Sequence, residues 1–156
     1  MGVIKIVTES EHEEFLRKKS REVTEITPRV ITLLDDMIDT MRAANGCGLA
    51  AVQVGVLRRI VVIETPEGLF ELINPVIIKK SGCQESAEGC LSLPGKWGLT
   101  KRPNKVTVEA TDRNGQKYQL TGEGLLAKAI CHEVDHLDGI LYTDKVIRML
   151  GADEVE

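Results

Sequence analysis

The stretch from Gly124 to Gly139 constrains this chain more than any other. It carries Leu125, Leu126, Ala129, Ile130 and Val134 between two glycines, the profile of a buried helix, and at its centre stands His132-Glu133-Val134-Asp135-His136. Residues four apart share one helical face, so both imidazoles can reach one ion. Glu133, about 100° further round the axis, can reach a water on that ion without ligating it. Two of the chain's three histidines fall at this one spacing, the third being His12. The helix should therefore be buried, with a metal on one side.

Two ligands leave a catalytic site incomplete, since such sites typically use three protein ligands and keep a position open for water. Downstream of His136 there is no further histidine or cysteine, only the carboxylates Asp138, Asp144, Asp153, Glu154 and Glu156. The third ligand is therefore sought upstream, in Glu88-Gly89-Cys90-Leu91-Ser92-Leu93-Pro94-Gly95. There the glycines and proline predict a tight, exposed loop with the Cys90 thiolate facing outward, and a bound metal would keep that thiol deprotonated.

The rest of the sequence reads as one α+β domain spanning 1–156, with short antiparallel sheets packed around the HExxH helix. At 156 residues, with 42% hydrophobic and 28% charged residues, the chain is long enough for one core and ordinary enough to fold. Ser10 with Glu13 three residues on is a capping-box pattern that predicts a helix near 11–21. Thr27-Pro28 reads as N-cap and first helical residue, and Val30, Leu33, Leu34, Met37, Ile38 and Met41 recur at helical spacing up to Asn45-Gly46. Ile60 to Ile63 and Phe70 to Ile73 predict a hairpin, interrupted at Asn74-Pro75. Val106, Val108 and Ala110 with Tyr118 and Leu120 predict another, closed at Asn114-Gly115.

A net charge of −4 argues against non-specific nucleic-acid binding, and no apolar run approaches the ~18 residues of a membrane span. The expected location is cytoplasmic. There the four cysteines, Cys47, Cys83, Cys90 and Cys131, are expected as thiols.

Three motifs in order, Gly46-Cys47-Gly48-Leu49-Ala50-Ala51-Val52-Gln53, the Glu88 to Pro94 segment, and His132 to His136, resemble the signatures of the peptide deformylases, from about Leu16 to Asp144. The resemblance implies an enzyme that removes the formyl group from N-formylmethionyl peptides and nascent chains, with Cys90, His132 and His136 as metal ligands. It implies Glu133 as general acid/base, and Gln53 with the backbone N–H of Leu91 as donors to the formyl oxygen. Cys47, Gly48, Leu125 and Ala129 would line the methionine pocket, and Asp135 with Arg102 would stand behind the ligands. Gly46 and Gly48 are expected to serve as flexible backbone near substrate. The ion implied is Fe²⁺, with Zn²⁺, Ni²⁺ or Co²⁺ as substitutes.

Cys131 stands where the family usually has glutamine, rotated away from the metal face. Ribosome proximity is a further expectation. The sequence ends at Glu156 without the longer C-terminal helix that serves this contact in some members. Of competing readings, a zinc peptidase would need a downstream ligand, and a decayed binding module would have lost Glu133 or Gln53. Both residues are present.

Overall fold

The computed structural model of the chain describes residues 2–154. Three helices and eight strands follow in the order α1 (Glu9–Leu16), α2 (Pro28–Ala43), β1 (Gly48–Ala50), β2 (Ile60–Thr65), β3 (Gly68–Ser81), β4 (Gln84–Cys90), β5 (Leu93–Arg102), β6 (Lys105–Thr111), β7 (Lys117–Glu123), α3 (Leu125–Leu137) and β8 (Val146–Leu150). They make a five-stranded sheet, β1-β2-β3-β6-β7, and a three-stranded one, β4-β5-β8, with every named strand pair antiparallel. This is the α+β class expected, arranged about the HExxH helix.

Burial along β2 explains the layering. Successive strand residues point to opposite faces, and here both faces are covered. Val61 and Ile63 join the core that holds Leu126, Ile130 and Val134 of α3, while Ile60 and Val62 join the one that holds Leu34, Met37 and Met41 of α2. The larger sheet thus carries one helix on each side, and α3 is buried between it and the smaller sheet. Each such aliphatic side chain contributes roughly 1.5–3 kcal/mol by leaving water.

Helix α2 begins as the sequence predicts: the Thr27 hydroxyl accepts from the Val30 N–H at 3.4 Å with Pro28 behind it. Helix α1 does not. Its N-cap is Thr8 and it ends at Leu16, with a break in helical geometry at His12, so the Ser10 box does not form. The reason is tertiary. Glu9 N–H is drawn to the Ser92 carbonyl at 2.8 Å, and beyond Leu16 the chain leaves the helix so that Ser20 N–H can meet the Leu137 carbonyl, also at 2.8 Å.

The expected interruption at Asn74-Pro75 is a bulge inside the continuous strand β3, with Asn74 at φ +53°. Its side-chain amide replaces the lost ladder by pairing with both backbone groups of Val23 at 2.9 Å. The second hairpin turns through Arg113-Asn114-Gly115, where Gly115 at φ +81° adopts the left-handed conformation that such a three-residue turn needs. No helix among the described residues is long and apolar enough to cross a membrane.

Candidate metal centre

Helix α3 presents His132 and His136 from one face, both buried, with ring centroids 5.0 Å apart. Cys90 comes to them from the end of β4. One ligand atom from each of the three residues falls in a cluster whose members all lie within 4.8 Å of one another, and Cys90 Sγ is 3.2 Å from His136 Nε2. The outward-facing loop expected at this position is not what forms. Glu88, Gly89 and Cys90 are strand residues, and the reversal is confined to the tight turn before Leu93, with Cys90 paired to Leu93 across it. The glycine serves a different end: a Cβ at Gly89 would sit 2.7 Å from the Trp97 ring on β5.

The strand also places a residue that sequence reasoning passed over. Glu88 stands two before Cys90 on β4, with an irregularity of register between them. Its carboxylate is buried and accepts from Thr100 Oγ1 at 2.7 Å, from Arg102 through Nε at 3.0 Å and Nη2 at 2.7 Å, and lies in close hydrogen-bond contact with His132 Nδ1. Arg102 also reaches Asp135 at 2.8 Å, and Lys145 completes the chain at 3.1 Å. Asp135 and Arg102 are thus in contact, but Glu88 is what links Arg102 to a histidine. Burial opposes its ionisation, yet the hydrogen bonds from His132 and Arg102 outweigh that and hold the carboxyl well below its ordinary range. An ionised Glu88 fixes the proton on Nδ1 and leaves His132 Nε2 to a ligand.

Glu133 is buried on α3 beside this cluster, and burial raises its carboxyl to about 7. Its Oε1 finds no hydrogen-bond partner among the described residues. Gly48 on β1 lies directly against it: a Cβ there would be 2.6 Å from Oε2 and 2.9 Å from Cγ. Gly48 and Gly46 both have negative or extended φ, so their role is to make room rather than to bend, with the Leu91 side chain filling the space at Gly46. The Gln53 amide, on a short 3₁₀ turn, accepts from Ala50 N–H at 3.0 Å. Its Nε2 donates to Ser92 Oγ at 3.1 Å and faces Cys90 Sγ at 3.6 Å.

A cavity of about 420 Å³ opens in front of these groups. Cys47, Gly48, Gln53, Cys90, Leu91, Leu125, Ala129, His132 and Glu133 all line it, with Trp97 at one side. Cys131 is not among them. It is buried in the core, outside the cluster of candidate ligands, and all four cysteines are free.

The donor set fits a divalent cation. One sulfur and two imidazole nitrogens suit zinc or a first-row neighbour, and tetrahedral bonds of ordinary length would put sulfur and nitrogen about 3.6 Å apart, near the separation found here. Burial works against charge on His132, but Glu133, Cys90 and Glu88 around it raise its pKa well above the usual value. Burial and the neighbouring His132 lower the pKa of His136, favouring the neutral form that ligates.

The model of the polypeptide deformylase family matches residues 3–150. The chain is 59% identical to the peptide deformylase of Acetivibrio thermocellus over 144 residues, 92% of this chain and 85% of that one. Against the peptide deformylase of Caldicellulosiruptor bescii it is 56% identical, covering 92% and 87%. Among solved structures, that of a peptide deformylase from Legionella pneumophila superposes with a TM-score of 0.87 at 40% identity, over 93% of this chain and 86% of that one. The Ehrlichia chaffeensis peptide deformylase in complex with actinonin gives 0.89 at 36% identity, over 99% and 92%.

Proposed function

The chain belongs to the polypeptide deformylase family, and on that premise we propose how it removes the N-terminal formyl group from formyl-methionyl polypeptides. The observation that carries the reading is a buried glutamate, Glu133, with one oxygen unclaimed, lining a cavity beside three convergent donors. A divalent ion held by Cys90, His132 and His136 would supply the Lewis acidity that makes water a nucleophile near neutral pH. Fe²⁺ is the proposed native ion, with Zn²⁺, Ni²⁺ or Co²⁺ able to substitute.

Glu133 takes the proton of the attacking water and returns it to the leaving amine. A carboxyl whose pKa stands at about 7 is suited to both transfers. Gln53, held by Ala50 and Ser92, has its Nε2 beside the Cys90 sulfur, and with the Leu91 backbone N–H it would donate to the formyl oxygen as charge develops there. Cys47, Gly48, Leu125 and Ala129 form the walls that would receive the methionine side chain. Glu88, backed by Arg102 and Asp135, holds His132 in the ligating tautomer. The substrates would be nascent chains in the cytoplasm.

The test is formate release from formyl-Met-Ala-Ser by anaerobically prepared protein. Wild type should release formate and Glu133→Ala should lose at least about a hundredfold in kcat. Absence of formate from metal-loaded wild type would end the reading. An equally active variant would remove Glu133 from its assigned role.

A further inference from the structure

Tyr142 is 1% exposed, and its ring lies against the His132 imidazole with centroids 6.1 Å apart and planes 24° from parallel. The two rings are stacked, at a centroid distance within the range over which aromatic pairs attract. The tyrosine is held from several sides. It begins a 3₁₀ turn, Tyr142–Asp144, in which Asp144 accepts from Leu141 N–H at 3.1 Å and is itself tied to Arg17 at the end of α1. On β5, Gly98 leaves the space the ring occupies, since a Cβ there would come within 3.0 Å of it.

From this packing we infer that Tyr142 is a positioning residue for the metal centre, its ring setting the plane of the His132 imidazole. The inference rests on His132 being a ligand. A hydrogen bond at Nδ1 fixes one point of the ring and leaves it free to rock about that contact. A flat surface against its face removes the remaining freedom, so that Glu88 and Tyr142 together aim Nε2. The work is done by the ring. The hydroxyl is buried with no partner among the described residues, and burial together with Cys90, Glu88 and Glu9 keeps it a neutral phenol.

Tyr142→Phe keeps the stacking surface and Tyr142→Leu removes it. A core truncation at a residue that neither lines the cavity nor belongs to the ligand cluster, Val108→Ala on β6, controls for lost stability. Three readouts apply to the full chain. In the metal-free protein, NMR follows the His132 Nδ1–H and ring-carbon signals. With cobalt ion added, visible absorption reports ligand geometry and competition with a chelator reports affinity.

Tyr142→Leu should broaden or shift the His132 signals, change the cobalt spectrum and weaken cobalt binding roughly 10- to 100-fold, the range seen when groups behind a ligand are removed. Tyr142→Phe and Val108→Ala should match wild type in all three. A Tyr142→Leu protein indistinguishable from the Val108→Ala control would overturn the inference, and so would a Tyr142→Phe protein that fails as badly as Tyr142→Leu. If wild type binds no cobalt, the metal reading fails instead, and the metal-free spectra still decide whether Tyr142 holds His132.

Discussion

Replacing Gly48 by alanine should remove activity without unfolding the protein. Gly48 lacks positive φ, so the backbone accepts alanine, and on conformational grounds alone the change would stabilise by about 0.4–1 kcal/mol. The new Cβ would nevertheless stand 2.6 Å from Glu133 Oε2, whereas ordinary contact begins at 3.4 Å, so the carboxylate must retreat by the difference, 0.8 Å. A misplacement near 1 Å in a catalytic group can cost about a hundredfold. We expect kcat/KM for formyl-Met-Ala-Ser to fall about 30- to 100-fold, or about 2–2.7 kcal/mol of transition-state stabilisation. The urea midpoint should move by less than about 0.5 M, under 1 kcal/mol at a slope typical for a small protein. Activity within twofold of wild type would refute the claim that Gly48 seats Glu133. A large loss of stability would show that the added carbon cannot be absorbed by the side chain.

Other perturbations separate the supporting shell from the fold. Glu88→Ala leaves Arg102 buried with only Asp135 for a partner and strips His132 Nδ1 of its acceptor, so it should destabilise by about 3 kcal/mol, the low end for breaking a buried pair. Urea unfolding measures this, and a loss below 1 kcal/mol would contradict the assigned network. The Arg17 hydrogen bond lowers the Asp144 carboxyl pKa, so the stability it adds is present above the unfolded value of about 3.9 and is lost as pH falls through the folded one. With Asp144 more than a third exposed, the advantage of wild type over Asp144→Asn should be at most about 1 kcal/mol at pH 6 and should vanish in strong acid. Thr27→Ala should cost about 0.5–1 kcal/mol through the α2 cap, seen as a lower urea midpoint with unchanged formate release.

Much of the architecture could be read from local pattern. The α2 cap, both hairpins and the α3 helix follow from spacing and turn residues, because hydrogen bonds four residues apart and tight turns are settled by neighbours in the chain. The grouping of Cys90 with His132 and His136 as candidate ligands was also legible, since no histidine or cysteine follows His136 and the Glu88 to Pro94 segment resembles a signature of the family. What local pattern misjudged lies where distant segments meet. Gly89 and Pro94 read as a loop, yet β4 runs through to Cys90 because β5 pairs with it from Gln84 to Glu88 and again at Cys90, and Trp97 needs the space above Gly89. Pairing with β5 brings both Glu88 and Cys90 to the α3 histidines, a placement that a loop would not have predicted.

The sequence by itself determined that two imidazoles and a carboxylate would share one buried helix, because 3.6 residues per turn leaves no alternative once the helix forms. Tertiary structure brought up what stands behind and around them: Arg102 from the smaller sheet and Gly48 from the larger, which the family resemblance had named, and Glu88 and Tyr142, which it had not. These groups lie 9 to 85 residues from Glu133 in the chain. Their placement depends on which surfaces pack together, and no local rule encodes that choice.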